Sequence, residues 1–197
     1  ELEKSVSVIL VNHHVAIFNA RPNMPGMIDI GGAHIKPLQT LPKEIKQFLD
    51  DAENGVIHMS LGSFVQSSKM PKEKLKIFLN VFGSLKQRVL WKYELDDLQG
   101  LPTNLLIQKW MPQAEVLNHK NVILFISHGG MFGTTEASNF GVPVLFMPFY
   151  GDQYKNAKTV ERRGYGRTIS FSDLTENMLK ENVLAMIDDK KYSIKAK

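Results

Sequence analysis

Val122-Ile-Leu-Phe-Ile126, followed by Ser127-His-Gly-Gly130, decides the fold. Five apolar residues without a break read as a strand covered on both faces, as strands of parallel sheets are. The two glycines turn the chain, and residues 134–140 read as a helix behind that turn. Pro143-Val-Leu-Phe-Met147 is a second buried strand. Leu105-Leu-Ile107, upstream, has the same character, and Arg88 to Tyr93 and Val56 to Leu61 read as strands too. Between them lie helical patterns. One begins at Pro42 with Ile45, Phe48 and Leu49 on one face and ends at Gly55. Another follows Pro71 and carries Leu75, Phe78, Leu79 and Phe82. Downstream, residues 153–163 form a helix closed by Gly164, residues 167–170 are short and β-like, and Thr175 heads a last helix with Met178, Leu179, Val183 and Ile187. Alternating strands and helices imply an α/β fold with a doubly wound, mostly parallel, Rossmann-like sheet. Ligands of such sheets bind beyond the carboxyl ends of the strands.

The first forty residues differ. Residues 5–11 read as a short buried strand. Residues 19–42 hold Pro22, Pro25, Gly26, Gly31, Gly32, Pro37 and Pro42, a density of breakers that argues for a linker with one brief strand near residues 27–30. Glu1-Leu-Glu-Lys4 is no signal peptide, and Asp188-Asp-Lys-Lys191 reads as a plain charged tail. The chain has the look of a piece of something longer.

Composition excludes several classes. A chain of 197 residues has room for one domain with a sizeable core. The formal charge of +4 is a mild basic excess with no run of five or six Lys or Arg, which argues against a duplex-binding protein. With no cysteine there is no disulfide, thiolate zinc site or cysteine nucleophile. No stretch approaches the roughly 18 apolar residues of a membrane span.

The candidate functional residues all sit just after predicted strands. His128 either caps a strand end or donates to an anion. Gly129 and Gly130 let a ligand approach the backbone, and the helix they open presents free N–H groups and a positive dipole end. GGMFG is not the dinucleotide fingerprint, because it lacks the G-x-G-x-x-G spacing. Trp110 is a core residue or a stacking face; stacking on a base is worth about 1–3 kcal/mol. Gln113 caps the helix from Ala114 or reaches a ribose or base edge. Glu136 serves the helix dipole or accepts from two vicinal hydroxyls. Asp152, before Gln153, is a helix N-cap or half of a hydroxyl-reading pair. Ser63 is a turn residue or a phosphate donor, and Lys92 a solvated lysine or a charge facing the ligand.

Taken in order, Trp110-Met-Pro-Gln113, then Phe125-Ile-Ser-His-Gly-Gly-Met-Phe-Gly-Thr-Thr-Glu-Ala137 through Phe149-Tyr-Gly-Asp-Gln153, resemble the donor-binding signature of the UDP-glycosyltransferases. Met59-Ser-Leu-Gly-Ser63, Val89-Leu-Trp-Lys-Tyr93 and the linker from Asn19 to Ile35 extend the likeness, and His128-Gly-Gly-Met-Phe-Gly133 looks closer to animal, particularly insect, members. The resemblance implies the C-terminal half of a glycosyltransferase B-type fold, with residues 1–41 an interdomain linker region with short strands and residues 42–197 the nucleotide-sugar-binding domain. It implies Trp110 on uracil beside Met111, and Gln113 on the nucleoside. Ser63, His128 and the turn from Gly130 through Phe132 and Gly133 to Thr134 would hold the diphosphate, with Lys92 as a charge. Glu136 would take the ribose, and Asp152 and Gln153 the sugar.

Two departures stand out. Phe132 replaces an asparagine that contacts phosphate in many relatives, and Lys92 stands where many animal relatives carry arginine, whose planar fork it lacks. The implied chemistry is inverting transfer of a hexose, glucose by expectation, to hydroxyls of small lipophilic acceptors. The catalytic base belongs to an N-terminal half outside this chain, so none of His13, His14, His34, His58 and His119 is assigned that role, and His128 is left to stabilise the leaving group. UDP-sugar is a co-substrate. No cofactor, metal or nucleic acid is implied. Family members sit in the endoplasmic reticulum membrane, lumenal side, by a C-terminal helix absent here. The rival readings are a non-catalytic nucleotide-binding module and a nicotinamide-dependent oxidoreductase, which Ser60-Leu-Gly-Ser-Phe64 does not support.

Overall fold

A computed structural model describes residues 5–15, 17–96 and 98–197. Among the described residues, eight strands fall into two sheets. β1 (Ile9–Val11) and β2 (Met27–Asp29) pair in parallel by themselves. The main sheet has six strands: β3 (Val56–Ser60), β4 (Arg88–Lys92), β5 (Leu105–Gln108), β6 (Val122–Ser127), β7 (Val144–Phe146) and β8 (Gly166–Thr168). All are parallel, in the order β5-β4-β3-β6-β7-β8.

Helices α1 (Lys43–Asp50), α2 (Lys72–Gly83), α3 (Gln113–Leu117), α4 (Met131–Phe140), α5 (Gln153–Arg163), α6 (Glu176–Asp188) and α7 (Lys191–Ala196) flank the main sheet. Successive strand residues face opposite layers, so an unbroken apolar strand feeds two cores. Ile57, Met59, Trp91, Leu124 and Ile126 pack with Phe78 and Phe82 of α2 and Leu179 and Val183 of α6. Val56, Leu90 and Phe125 pack on the other face with Leu49 of α1, Val116 of α3, Ala137 of α4 and Val160 of α5. The chain leaves β3 toward one layer and β6 toward the other. Their adjacent carboxyl ends therefore open a crevice between them, the topological switch point of the sheet.

Local chemistry ends the helices. α4 stops at Gly141 and α5 at Gly164, both left-handed residues with φ of 69° and 86°, which glycine adopts without a Cβ penalty. Thr175 caps α6 by accepting from the Met178 amide at 3.2 Å.

Five expectations need correction. The helix expected to end at Gly55 is α1, which stops at Asp50 with Asp51 as its C-cap. The strand expected over residues 5–11 is only β1, and it is not buried: Val6, Val8, Ile9 and Leu10 are exposed. Its only strand partner among the described residues is β2, so no layer covers it. The helix after the glycine turn begins at Met131, three residues early, with Gly130 as its N-cap. The charged tail instead runs into α7, whose Tyr192 joins the core cluster that holds Leu179, Val183 and Met186 of α6. The β-like stretch at 167–170 is β8, one residue earlier and shorter. Glu1 to Lys4, read as no signal peptide, lie outside the described residues.

Candidate functional site

A cleft of about 680 Å³ opens where β3 and β6 end. One end of it is made of backbone. β6 delivers His128 as its next residue, and β3 is followed by Leu61, Gly62 and Ser63. The His128 ring lies between two glycines: a Cβ on Gly62 would come within 2.6 Å of the ring, and one on Gly130 within 2.5 Å. Gly62 also has φ of 82°, so both its conformation and its neighbour demand glycine. Lys92 Nζ donates to the Gly62 carbonyl at 2.8 Å and lies 3.4 Å from Glu94, pinning the loop from beneath. Asn156 Nδ2 does the same for Gly129 at 2.9 Å.

Behind His128 the N-terminus of α4 points into the cleft. Gly130 has no side chain to cap it and the first turn holds no acid. Thr134 N–H donates to Gly130, whereas the amides of Met131, Phe132 and Gly133 take no hydrogen bond among the described residues. Three open N–H groups at the positive end of a helix form an anion site. His128 Nδ1 is buried and also without a partner there. Burial lowers the proton affinity of this imidazole, Lys92 lowers it further, and Asp152 pulls the other way. The net direction is down, which leaves a neutral ring with one N–H to donate at neutral pH.

The other end is made of side chains. Trp110 follows β5 and is 74% exposed along the cleft wall; the core tryptophan is Trp91, fully buried. Met111, the next residue, is buried in the cleft wall. Pro112 is the N-cap of α3, so Gln113 does not cap that helix. Its Nε2 instead donates to Glu136 Oε2 at 2.6 Å. Glu136 lies in the second turn of α4, beyond the reach of the dipole end. Burial raises its proton affinity, Gln113 and His34 lower it, and Glu115 raises it. His34 Nε2 stands 3.6 Å from Glu136 Oε1, and its ring lies 4.5 Å from that of Phe132.

Of the thirteen residues singled out from sequence, ten line this cleft: Ser63, Lys92, Trp110, Met111, Gln113, His128, Gly130, Phe132, Gly133 and Glu136. Three do not. Thr134 is fully buried within α4. Gln153 is turned inward, and its amide oxygen accepts from the Phe149 and Tyr150 N–H groups at 2.8 and 3.2 Å. Asp152 borders a neighbouring hollow of about 380 Å³ that shares Asn12 and Met131 with the cleft. Asp152 makes no side-chain cap; it accepts from Asn156 at 2.9 Å.

The sequence reading missed two histidines. His34 comes from the linker, where nothing in Gly31-Gly-Ala-His announces it. His58 is the one polar break in the run Val56-Ile-His-Met59, and a buried polar side chain needs a partner. His13 and His119 stay out of the chemistry, since both ring nitrogens of each are engaged: His13 with Asp29 and the Asn19 carbonyl, His119 with Asp50 and the Asn121 amide.

Residues 1–196 match the family described as "UDP-glucoronosyl and UDP-glucosyl transferase". UDP-glucosyltransferase 2 of Dactylopius coccus is 41% identical over 197 residues, which is the whole of this chain and 38% of that protein. Human UDP-glucuronosyltransferase 1A6 is 35% identical over 192 residues, covering 97% of this chain and 36% of that protein. The chain thus spans well under half the length of these relatives. Among solved structures, the spinosyn forosaminyltransferase SpnP superposes with a TM-score of 0.74 at 18% identity, over 89% of this chain and 45% of that one.

Proposed function

We propose, since the chain belongs to the family of UDP-glucuronosyl and UDP-glucosyl transferases, that its cleft holds the UDP-sugar donor of an inverting hexosyl transfer. One observation carries this reading. An exposed indole, an uncapped helix N-terminus beside an imidazole, and a carboxylate line a single cleft at the switch point. Uracil lies on Trp110, with Met111 and Gln113 beside it. The diphosphate takes the amides of Met131, Phe132 and Gly133, the His128 N–H and the Ser63 hydroxyl. Phe132 contributes its amide alone; its ring is engaged with His34. The vicinal ribose hydroxyls donate to Glu136. Lys92 supplies positive charge from below, and its ammonium also fixes the Gly62 carbonyl.

Asp152 then stands at the sugar side, next to His128, and Gln153 acts indirectly by holding the Phe149–Tyr150 backbone. Thr134 sets the first helical turn. In the transfer, an acceptor hydroxyl attacks the anomeric carbon and the C–O bond to UDP breaks. Negative charge grows on the departing phosphate, where a neutral imidazole N–H and preorganised helix amides stabilise it best. The acceptor, a small lipophilic alcohol or phenol, and the base that deprotonates it belong to the remainder of a longer protein, with residues 1–41 as the connection. This chain alone binds donor and turns over little. No metal takes part, glucose is the sugar expected, and the longer protein resides in the endoplasmic reticulum membrane.

Calorimetric titration with UDP tests the proposal. Saturable binding is expected, weakened about 10- to 100-fold by Trp110→Ala through loss of stacking. No heat at millimolar UDP, or equal heat from the variant, contradicts it.

A further inference from the structure

His58 is out of reach of any ligand, on the inner face of β3, yet it is wired to the cleft. Its ring is fully buried and stacks on Phe125 with centroids 5.0 Å apart and planes 6° from parallel. Nδ1 lies 3.1 Å from the Leu90 carbonyl, which can only accept, so Nδ1 carries the hydrogen. Burial pushes the ring's pKa down to about 4, outweighing the Leu90 and Gln113 contacts that raise it. At neutral pH, Nε2 is therefore a bare lone pair. Facing it at 3.4 Å is Gln113 Oε1, another acceptor. The same carboxamide donates from its other end to Glu136.

The series Leu90 carbonyl, His58, Gln113, Glu136 is one proton short. Two arrangements satisfy every contact. In the first, a proton on His58 Nε2 is donated to Gln113 Oε1, and Gln113 Nε2 donates to an ionised Glu136. In the second, the carboxamide is turned over: Gln113 donates to a neutral His58, and its oxygen accepts from a protonated Glu136. Each adds the same single proton. The way the amide faces and the protonation of Glu136 are thus one variable, and the His58 lone pair pulls toward the second arrangement. A protonated carboxyl has only one oxygen free of hydrogen and no charge, so it holds two hydroxyls far more weakly than a carboxylate, which offers both oxygens.

We propose that His58 is a positioning residue for diol recognition: acting through Gln113, it sets how far pH must rise before Glu136 presents two acceptor oxygens to the ribose. The proposal rests on the reading that Glu136 takes the ribose hydroxyls. The other titratable groups facing Glu136 are His34, at 3.6 Å, and Glu115 of α3. Among the described residues, only Gln113, the Leu90 carbonyl and the Phe125 ring are engaged with His58.

The test compares UDP-glucose with 2′-deoxy-UDP-glucose by calorimetry from pH 4.5 to 8. Both diphosphates are diesters of constant charge over this range, and both meet His128 alike, so the ratio of their affinities isolates the diol contact. In the natural chain the ratio should be about tenfold at pH 8 and should collapse as pH falls. In His58→Leu the lone pair is gone and Gln113 commits its N–H to Glu136, so the collapse should move to lower pH by about half a unit or more. An unmoved midpoint overturns the proposal. Absence of binding, or no discrimination at any pH in the natural chain, overturns instead the reading of Glu136 beneath it.

Nitrogen NMR of the natural chain gives a second arm that needs no variant. The His58 Nε2 resonance should shift through the same midpoint, as it gains the Gln113 N–H, while Nδ1 stays protonated. A flat resonance across that range also overturns the proposal.

Discussion

The two ends of the cleft are built from different materials. The end around His128 is backbone: two glycines, three helix amides and an imidazole delivered by two neighbouring strands. The end around Glu136 is side chains: an indole after β5, an amide at the start of α3, a carboxylate from the second turn of α4 and a histidine from the linker. Backbone groups are fixed by the sheet itself. Side chains must be fixed by one another, which is why the second end carries the Gln113–Glu136 hydrogen bond and the His34 contact. Burial pushes the titrating group of each end toward its uncharged form, His128 downward and Glu136 upward.

The contrast breaks most sharply at Gly62. Gly62→Ala places a methyl 2.6 Å from the His128 ring and forces a left-handed conformation on a residue with a Cβ. A loss of about 1–3 kcal/mol in stability is expected from that strain. UDP affinity should fall roughly 100-fold as the ring is displaced, a loss comparable to two hydrogen bonds to a charged group. Urea unfolding and calorimetry read the two effects separately. By contrast, Trp110→Ala at the other end should leave stability within about 0.5 kcal/mol, because the indole is exposed.

Acid offers a second way to sharpen the comparison. His58 titrates near 6.5 when unfolded and at about 4 in the fold. Between those values the unfolded chain binds the extra proton, so the stability contributed above pH 6.5 is lost as pH falls toward 4, on the order of 3 kcal/mol. His128, also lowered, acts in the same direction. Glu136, raised, has the opposite sign: its contribution is present below about 4.5 and fades as pH rises through its folded value. Urea midpoints should therefore drop between pH 7 and 4.5, and drop less in His58→Leu.

The smallest effect is expected at Lys92. Lys92→Met releases the Gly62 carbonyl and removes a charge that depresses His128. UDP affinity should weaken about tenfold, and the His128 titration followed by proton NMR should move to higher pH. An unchanged His128 titration would mean that the ammonium serves the loop alone.

Much of the fold was legible because parallel strands covered on both faces leave long apolar runs, and because proline and glycine punctuate the helices. The switch-point strands β3 and β6 and the helix α5 stand where their patterns place them. β1 misled because its apolar run has no layer over it among the described residues; hydrophobicity reports a tendency to be covered, and β1 lies apart from the sheet. α7 was hidden because Tyr192 is its only buried residue. At the site, the backbone end could be read from a contiguous stretch, since Ser127-His-Gly-Gly130 is one turn. The side-chain end could be named but not assembled. Gln113 and Glu136 are 23 residues apart and His58 and Gln113 are 55 apart, and only the order of the strands brings them together. Gln153 lies off the cleft wall for a related reason: its neighbour Asp152 sits at the surface, but the first turn of α5 directs the glutamine inward to the Phe149–Tyr150 amides.

A crystal structure with UDP-glucose tests the central claim most directly. The account predicts uracil stacked on the Trp110 indole, diphosphate oxygens on the Met131–Gly133 amides and His128, and both ribose hydroxyls on Glu136. A nucleotide seated elsewhere, or one in this cleft whose ribose avoids Glu136 while its base leaves the indole bare, would contradict it.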